Sequence, residues 1–289
     1  MIYNGLKLKN LSSMRSALAF ALVCMFVLLR SGYASSGGDA LSLDAGFRQM
    51  YNLEFAAAHK TFEAWQEQHP DDPLGAASNA AAYLFTEFDR LHILELSIFT
   101  DNRRLEERNK LNPDPQIKAA FDAQLSKADE IADKVLAQSS DDRNALFAKV
   151  LSDGLRADYK ALVEKRMRDG LGFLKTSRTT AEKLISIDPT YHDAYLALGI
   201  ENYVLGIRSA PTRWMLRLSG AQTSKDKGIA NLQVTAEKGR YLAPYARVLL
   251  AIAALRDDDR STARKFLSEL AHDFPQNRLY YIELAKLER

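Results

Sequence analysis

The feature that most constrains this sequence is a spacing that occurs three times. A small residue is followed by a small or bulky apolar residue and then by proline at identical offsets. The three sets are Ala58, Phe62 and Pro70; Ser177, Ala181 and Pro189; and Ala263, Leu267 and Pro275. Proline cannot continue a helix, so each set predicts a helix that ends at a turn. Recurrence of such a unit indicates an array of helix pairs, whose surfaces usually hold other molecules.

Apolar residues at helical spacing continue between and beyond these sets. Leu43, Phe47 and Met50 share one face of a first helix, and Asp72 and Asp142 stand where helices should begin. No segment shows sustained strand-like alternation. With 47% hydrophobic residues, the chain can bury a large core. We predict an all-α solenoid of about six helical hairpins over residues 42–289.

Three details of that helical pattern are also predicted. A fourth helix should run from about Leu91 to Lys110, and a long helix from Tyr159 to Ile187 should be kinked at residues 170–172. Gly239 is placed as a helix C-cap. Residues 206–228 form an insertion longer than the ~2–8 residues that usually join packed helices, so they should contain a short helix or serve a function.

The first 34 residues have the composition of a secretory signal peptide. Lys7, Lys9 and Arg15 precede the apolar run 17–29, and a cleavage-site sequence with small residues, Gly32-Tyr33-Ala34, follows it. The run is shorter than the ~20 residues of a membrane-spanning helix. We expect cleavage after Ala34, a short flexible segment over residues 35–41, and export to the periplasm of a Gram-negative bacterium.

Charge and cysteine content limit the function of the remaining chain. The first 34 residues include four of the 39 basic residues and none of the 37 acidic ones, so the rest has two more acidic than basic residues. Such a balance does not favour nucleic acid. The single cysteine, Cys24, lies in the signal segment, which excludes cysteine nucleophiles and thiolate zinc sites beyond it.

A charged residue, Arg30, lies between the apolar run and the predicted cleavage site. The alternative is therefore that the segment is not cleaved and anchors the protein in the inner membrane.

Tyr195, Leu198 and Gly199, together with the repeated proline spacing, resemble the tetratricopeptide repeat (TPR) family. That resemblance implies a right-handed superhelix of helix pairs. Residues 170–255 are similar to uncharacterised bacterial exported TPR proteins and, more distantly, to the eukaryotic tetratricopeptide protein 39 family and its yeast outer-mitochondrial relatives. These families imply an adaptor or scaffold role without established catalysis.

The resemblance also implies an inner groove lined by the first helix of each pair. The residues that it places there as partner contacts are Asp193, Leu196, Ile200, Tyr203, Phe47 and Met50. Chaperone-binding members use Lys, Asn and Arg at such positions, whereas these residues are mainly apolar. The chaperone-adaptor function therefore does not transfer. The alternative is that the six residues pack against neighbouring helices.

A basic and aromatic segment lies inside the insertion. Its possible contact residues are Arg208, Arg213, Trp214 and Arg217, which alternate with apolar residues. Either this segment forms a short helix that closes the solenoid with Trp214 buried, or it docks on an anionic membrane or on a partner protein. Firm membrane attachment usually needs two signals, and only one is visible.

No candidate for catalysis or metal binding emerges. Ser224 and Lys227 match S-x-x-K, but its companion elements are missing. His69, His192 and His272 occur at equivalent corners between repeats, which predicts a structural role and no metal or cofactor. The sequence therefore predicts an exported scaffold for a protein partner. The alternatives are a membrane-peripheral adaptor that docks through residues 208–217, or a non-catalytic subunit of an envelope enzyme complex.

Overall fold

A computed structural model describes residues 42–100, 111–208, 214 and 221–288. Within these residues the chain is helical and contains no strand. The helices are α1 Leu43–Tyr51, α2 Phe55–Gln68, α3 Pro73–Arg90, α4 Ser97–Thr100, α5 Pro115–Gln138, α6 Arg143–Asp158, α7 Met167–Ile187, α8 Tyr195–Gly206, α9 Lys225–Lys238, α10 Ala243–Arg256, α11 Arg260–Asp273 and α12 Arg278–Leu287. A π-helical turn, Tyr159–Val163, follows α6, and a 3₁₀ turn, His192–Ala194, precedes α8. The predicted signal segment lies outside the described residues.

Helices that follow each other along the chain pack as pairs, apart from the four-residue helix α4, which forms no pair of this kind. The pairs are α1 with α2, α3 with α5, α6 with α7, α8 with α9, and α10 with α11, and α12 packs on α11. In the described part of the chain, the solenoid therefore has five hairpins and a final single helix. The prediction of an all-α, TPR-like solenoid is confirmed. None of the described helices is both long and apolar enough to cross a membrane.

Aspartates fix the starts of four described helices, α3, α5, α6 and α11. Asp72 accepts a hydrogen bond from the backbone NH of Leu74 at 3.0 Å, and Pro73 follows it as the first residue of α3. Asp114 caps α5 and Asp142 caps α6 in the same way. A carboxylate at this position satisfies backbone NH groups that have no partner inside the helix, and proline loses nothing there because its missing NH is not needed.

The structure corrects two of the predicted helices. Residues 91–96 form a turn in which His92 has φ 55°, so the predicted helix from Leu91 does not begin there. Only Ser97–Thr100 of that helix is seen, and residues 101–110 lie outside the described ranges. The long helix from Tyr159 breaks at Lys165, with φ 56°, and not at residues 170–172. Such backbone angles interrupt helical hydrogen bonding.

Helices α8 and α9 cross at very short distance because glycines face the partner backbone. A Cβ atom on Gly228 would lie 2.5 Å from the backbone nitrogen of Tyr203, and one on Gly206 would lie 2.5 Å from that of Lys225. Any side chain there would force the helices apart. This close crossing sets the position of Tyr203 at the inside of the solenoid.

The inside of the solenoid closes on itself, since the first hairpin contacts residues about 190–230 positions later. The rings of Phe47 and Tyr241 stack with centroids 5.0 Å apart. The Tyr51 hydroxyl donates to the backbone oxygen of Tyr241 at 3.1 Å, and Asn277 Nδ2 donates to the backbone oxygen of Tyr51 at 2.8 Å. The first hairpin therefore meets the turn before α10 and the start of α12 across the inside of the solenoid.

Candidate functional site

A cavity of about 190 Å³ lies among α6, α7, α8 and α10. We call it the inner cavity. Its wall is mostly apolar, with side chains that include Leu171, Leu174, Ile200, Val204, Leu249 and Ile252. An apolar cavity of about 150 Å³ is large enough to bind benzene. The inner cavity can therefore hold a small organic molecule.

One carboxyl group faces this apolar space. Asp158 is the last residue of α6, and its Oδ2 accepts a hydrogen bond from the hydroxyl of Tyr245 on α10 at 3.1 Å. No ion pair of Asp158 occurs among the described residues. Burial raises the pKa of Asp158 to about 7, because the charged form loses water, while the hydrogen bond from Tyr245 opposes that rise.

The hydroxyl of Tyr203 also belongs to the cavity wall. Tyr203 is 8% exposed, and its hydroxyl has no hydrogen-bond partner among the described residues. An unpaired buried hydroxyl costs about 1–3 kcal/mol. Burial raises the pKa of Tyr203, and the nearby Arg256 opposes the rise. Arg256 itself lines the cavity and donates to the backbone oxygen of Phe99 at 2.7 Å.

A smaller cavity of about 50 Å³ adjoins the first, and Asp158 and Tyr245 line both. Sequence-predicted groove residues meet at its wall: Phe47, Met50, Asp193, Leu196 and Ile200. The sixth, Tyr203, lines the inner cavity. The structure thus brings all six to the inside of the solenoid. Apart from the partly exposed Ile200, they are buried against other helices, so their contact with a partner stays a prediction.

The structure gives Asp193 an internal role that the groove prediction did not include. Its carboxylate accepts hydrogen bonds from the backbone NH groups of Arg240, Tyr241 and Leu242 at 2.8–3.3 Å. It thereby fixes the turn between α9 and α10. Burial raises the pKa of Asp193 although these hydrogen bonds lower it. Gly239 ends α9 as predicted, but with φ −64°; a Cβ there would lie 2.7 Å from Asp193 Oδ1.

The basic and aromatic segment is only partly described. Arg208 lines the inner cavity. Trp214 is 66% exposed, so its predicted burial in a helix that closes the solenoid is wrong. Arg213 and Arg217 lie outside the described residues.

Histidines and acidic residues do not assemble a metal site in the part of the chain that is described, where no group of three or more such ligands occurs. His59 Nδ1 is 2.6 Å from Asn79 Oδ1, and the His69 ring stacks on Trp65 with centroids 3.9 Å apart. Both contacts are structural.

Sequence reasoning missed Asp158 and Tyr245, although one signal was present. Leu151, Leu155, Asp158 and Leu162 follow each other at steps of four, three and four residues. Such steps place them on one helix face, so Asp158 interrupts an apolar stripe. No local pattern connects it with Tyr245, which is 87 residues away.

Comparisons with known proteins add little. No protein-family model and no curated protein matches the sequence. Among solved structures, a thermophilic TPR protein from Thermus thermophilus is 16% identical with a TM-score of 0.44, over 87% of this chain and 98% of that one. A likeness this weak transfers no function. The order and pairing of its own helices make this chain an all-α, TPR-like helical-repeat protein.

Proposed function

We propose that this chain is an exported helical-repeat scaffold of the cell envelope, which binds a protein or peptide partner and catalyses no reaction itself. Stacked helix pairs support this proposal, because such arrays present extended surfaces to other molecules. The basic and apolar start of the sequence supports export.

The observation that carries the partner-binding proposal is the uncovered end of the stack. Tyr281 and Ile282 on α12 are 48% and 45% exposed. Large apolar side chains that are exposed side by side often mark a contact surface. Contact through the inner residues Phe47 and Met50 would require the first hairpin to separate from α10 and α12.

Site-specific photo-crosslinking in native envelopes tests this proposal. A benzophenone amino acid replaces Ile282 at the end of the stack, and in a control it replaces Lys127, an exposed residue of α5. We expect one defined protein adduct from position 282 that Tyr281→Ala reduces, and none from position 127. Equal adducts at both positions, or none at either, would contradict it. The same benzophenone amino acid is also placed at Ile200, the partly exposed groove residue. An adduct from Ile200 alone would show that the partner contacts the inner surface and not α12.

A second candidate is a membrane-peripheral adaptor, and the exposed indole of Trp214 favours it. Aromatic side chains beside basic residues insert into anionic membrane surfaces. Co-sedimentation with phosphatidylglycerol vesicles that falls in Trp214→Ala, but not in the exposed-aromatic control Tyr281→Ala, would support this candidate. Equal sedimentation with neutral phosphatidylcholine vesicles would exclude it.

A further inference from the structure

The inner cavity combines features that packing alone does not explain. A buried carboxylate is normally paired with a cation or bound by several donors, because isolated buried charge is costly. Asp193, in the same interior, follows that rule with three backbone NH donors. Asp158 is only partly exposed, yet among the described residues the one donor to its carboxylate is the hydroxyl of Tyr245. Its acceptor capacity is thus largely unused beside the apolar wall of the cavity.

We propose that the inner cavity binds a small apolar primary amine, whose ammonium group pairs with the Asp158 carboxylate and whose hydrocarbon part fills the apolar wall. This site goes beyond the proposed scaffold function and does not depend on it. An ammonium supplies the missing positive charge and up to three donors, which the carboxylate oxygens can accept.

The polar groups of the cavity wall fix the orientation of such a ligand. Arg208 and Arg256 also line the cavity, but a guanidinium has no acceptor to offer an ammonium group. The only carboxylate among the described lining residues is Asp158. The amine is therefore directed to Asp158, beside the hydroxyl of Tyr245.

The size of the cavity limits the ligand. A volume of about 190 Å³ exceeds by little the ~150 Å³ cavity that accommodates benzene. A linear or branched chain of about six carbons, or one substituted ring, fits this space. Polyamines do not fit, because a second ammonium would meet apolar side chains or the two arginines.

The test uses the purified full chain and three probes with the same six-carbon body: hexylamine, 1-hexanol and hexanoate. Isothermal titration and methyl NMR shifts report binding. At pH 8 the amine is protonated, since alkyl ammonium groups titrate near ~10.4 as lysine does. We expect hexylamine to bind about tenfold or more tightly than 1-hexanol, which corresponds to ~1.4 kcal/mol. Hexanoate should not gain from Asp158, because two carboxylates repel each other, and any binding of it should depend on the arginines of the cavity wall.

Variants separate the carboxylate from the apolar wall. Asp158→Asn should remove the preference for amine over alcohol. The matched control is Asp153→Asn on the same helix, whose carboxylate pairs with Arg156 at 3.5 Å and does not line the cavity; it should keep that preference. Val204→Phe should fill the cavity and weaken the amine and the alcohol together.

Thermal unfolding of each variant shows whether it is folded, so that loss of binding is assigned to the site. If all three probes bind equally, or if Asp158→Asn retains the amine preference, the proposal is wrong. Absence of binding by hexylamine to the folded wild-type chain would overturn it as well. None of these results depends on whether a protein partner is captured at α12.

Discussion

Near the first hairpin, aromatic rings pack closely and leave cavities of only about 50 Å³, whereas around Asp158 the inside of the solenoid has a cavity of about 190 Å³. In the closely packed region the Phe47 ring lies 5.5 Å from that of Phe62 and 5.0 Å from that of Tyr241. In the hollow region a carboxyl and a hydroxyl that has no partner among the described residues face apolar side chains. We expect the packing of the first region to hold the solenoid closed, and the proposed amine site lies in the second.

The largest loss of stability is expected from a substitution in the closely packed region near the first hairpin. Phe62 is fully buried and packs against Gly46 and Phe47, so Phe62→Ala should lower the free energy of unfolding by about 3–5 kcal/mol. Leu249→Ala in the hollow region should cost less, because Leu249 is partly exposed and already faces empty space. Urea unfolding measures both, and an equal or larger loss for Leu249→Ala would remove the contrast.

The second-largest effect is expected in the pH dependence of stability, through the Asp158 carboxyl in the hollow region. The pKa of Asp158 is about 7 in the folded chain against 3.8 for the ordinary group. The folded state therefore binds more protons between these values, and stability should fall as pH rises from about 4 to about 7, on the order of 3 kcal/mol.

Asp158→Asn should flatten that part of the profile in chemical unfolding at a series of pH values. Burial raises the pKa of Asp193 in the same direction, so the comparison with wild type is needed to isolate Asp158. An unchanged slope in Asp158→Asn would mean that this carboxyl is not desolvated as described.

Asp193 should stabilise the fold, in contrast to Asp158, because its carboxylate accepts hydrogen bonds from backbone NH groups. Asp193→Ala leaves the backbone NH groups of the turn before α10 without their acceptor and should cost about 2–3 kcal/mol. Asp193→Asn keeps one acceptor oxygen and should cost less. Thermal unfolding distinguishes the two, and a neutral Asp193→Ala would show that the carboxylate does not hold this turn.

The smallest effect is expected for the exposed ion pair that joins α1 to the turn between α9 and α10. Arg240 and Asp44 approach to 2.6 Å, but both side chains are largely exposed. Such pairs contribute about 0–1 kcal/mol, so Arg240→Ala should change stability little and the change should shrink in high salt. A loss as large as that of Phe62→Ala would mean that charge, and not ring packing, closes the solenoid.

Helix ends were predictable because their signals are local. Pro73 and Pro115 with the aspartates before them determine where α3 and α5 begin, and the repeated proline spacing predicted the paired architecture. The turn at His92 was not predictable in the same way, since the apolar residues around it fit a helix equally well. There the backbone NH of Ile93 donates to the oxygen of Phe88 and that of His92 to the oxygen of Asp89, a local helix end that usually has glycine at the position that His92 occupies.

The site was predictable only in part, because its contacts join distant parts of the chain. The TPR resemblance placed Phe47 and Leu196 on the inner side, where the structure has them. It could not show that α1 meets Tyr241, which closes that side. Nor could it show that Asp193 would be used by a turn that begins 47 residues later.

The central claim is that the solenoid closes over its inner surface, and the contact between Phe47 and Tyr241 tests it most directly. Their ring centroids are 5.0 Å apart. In a chain with labelled phenylalanine and tyrosine, we expect a direct nuclear Overhauser effect between the two rings, assigned with Phe47→Leu. Absence of that effect, with both rings accessible to a soluble paramagnetic probe, would contradict the account and indicate an open groove.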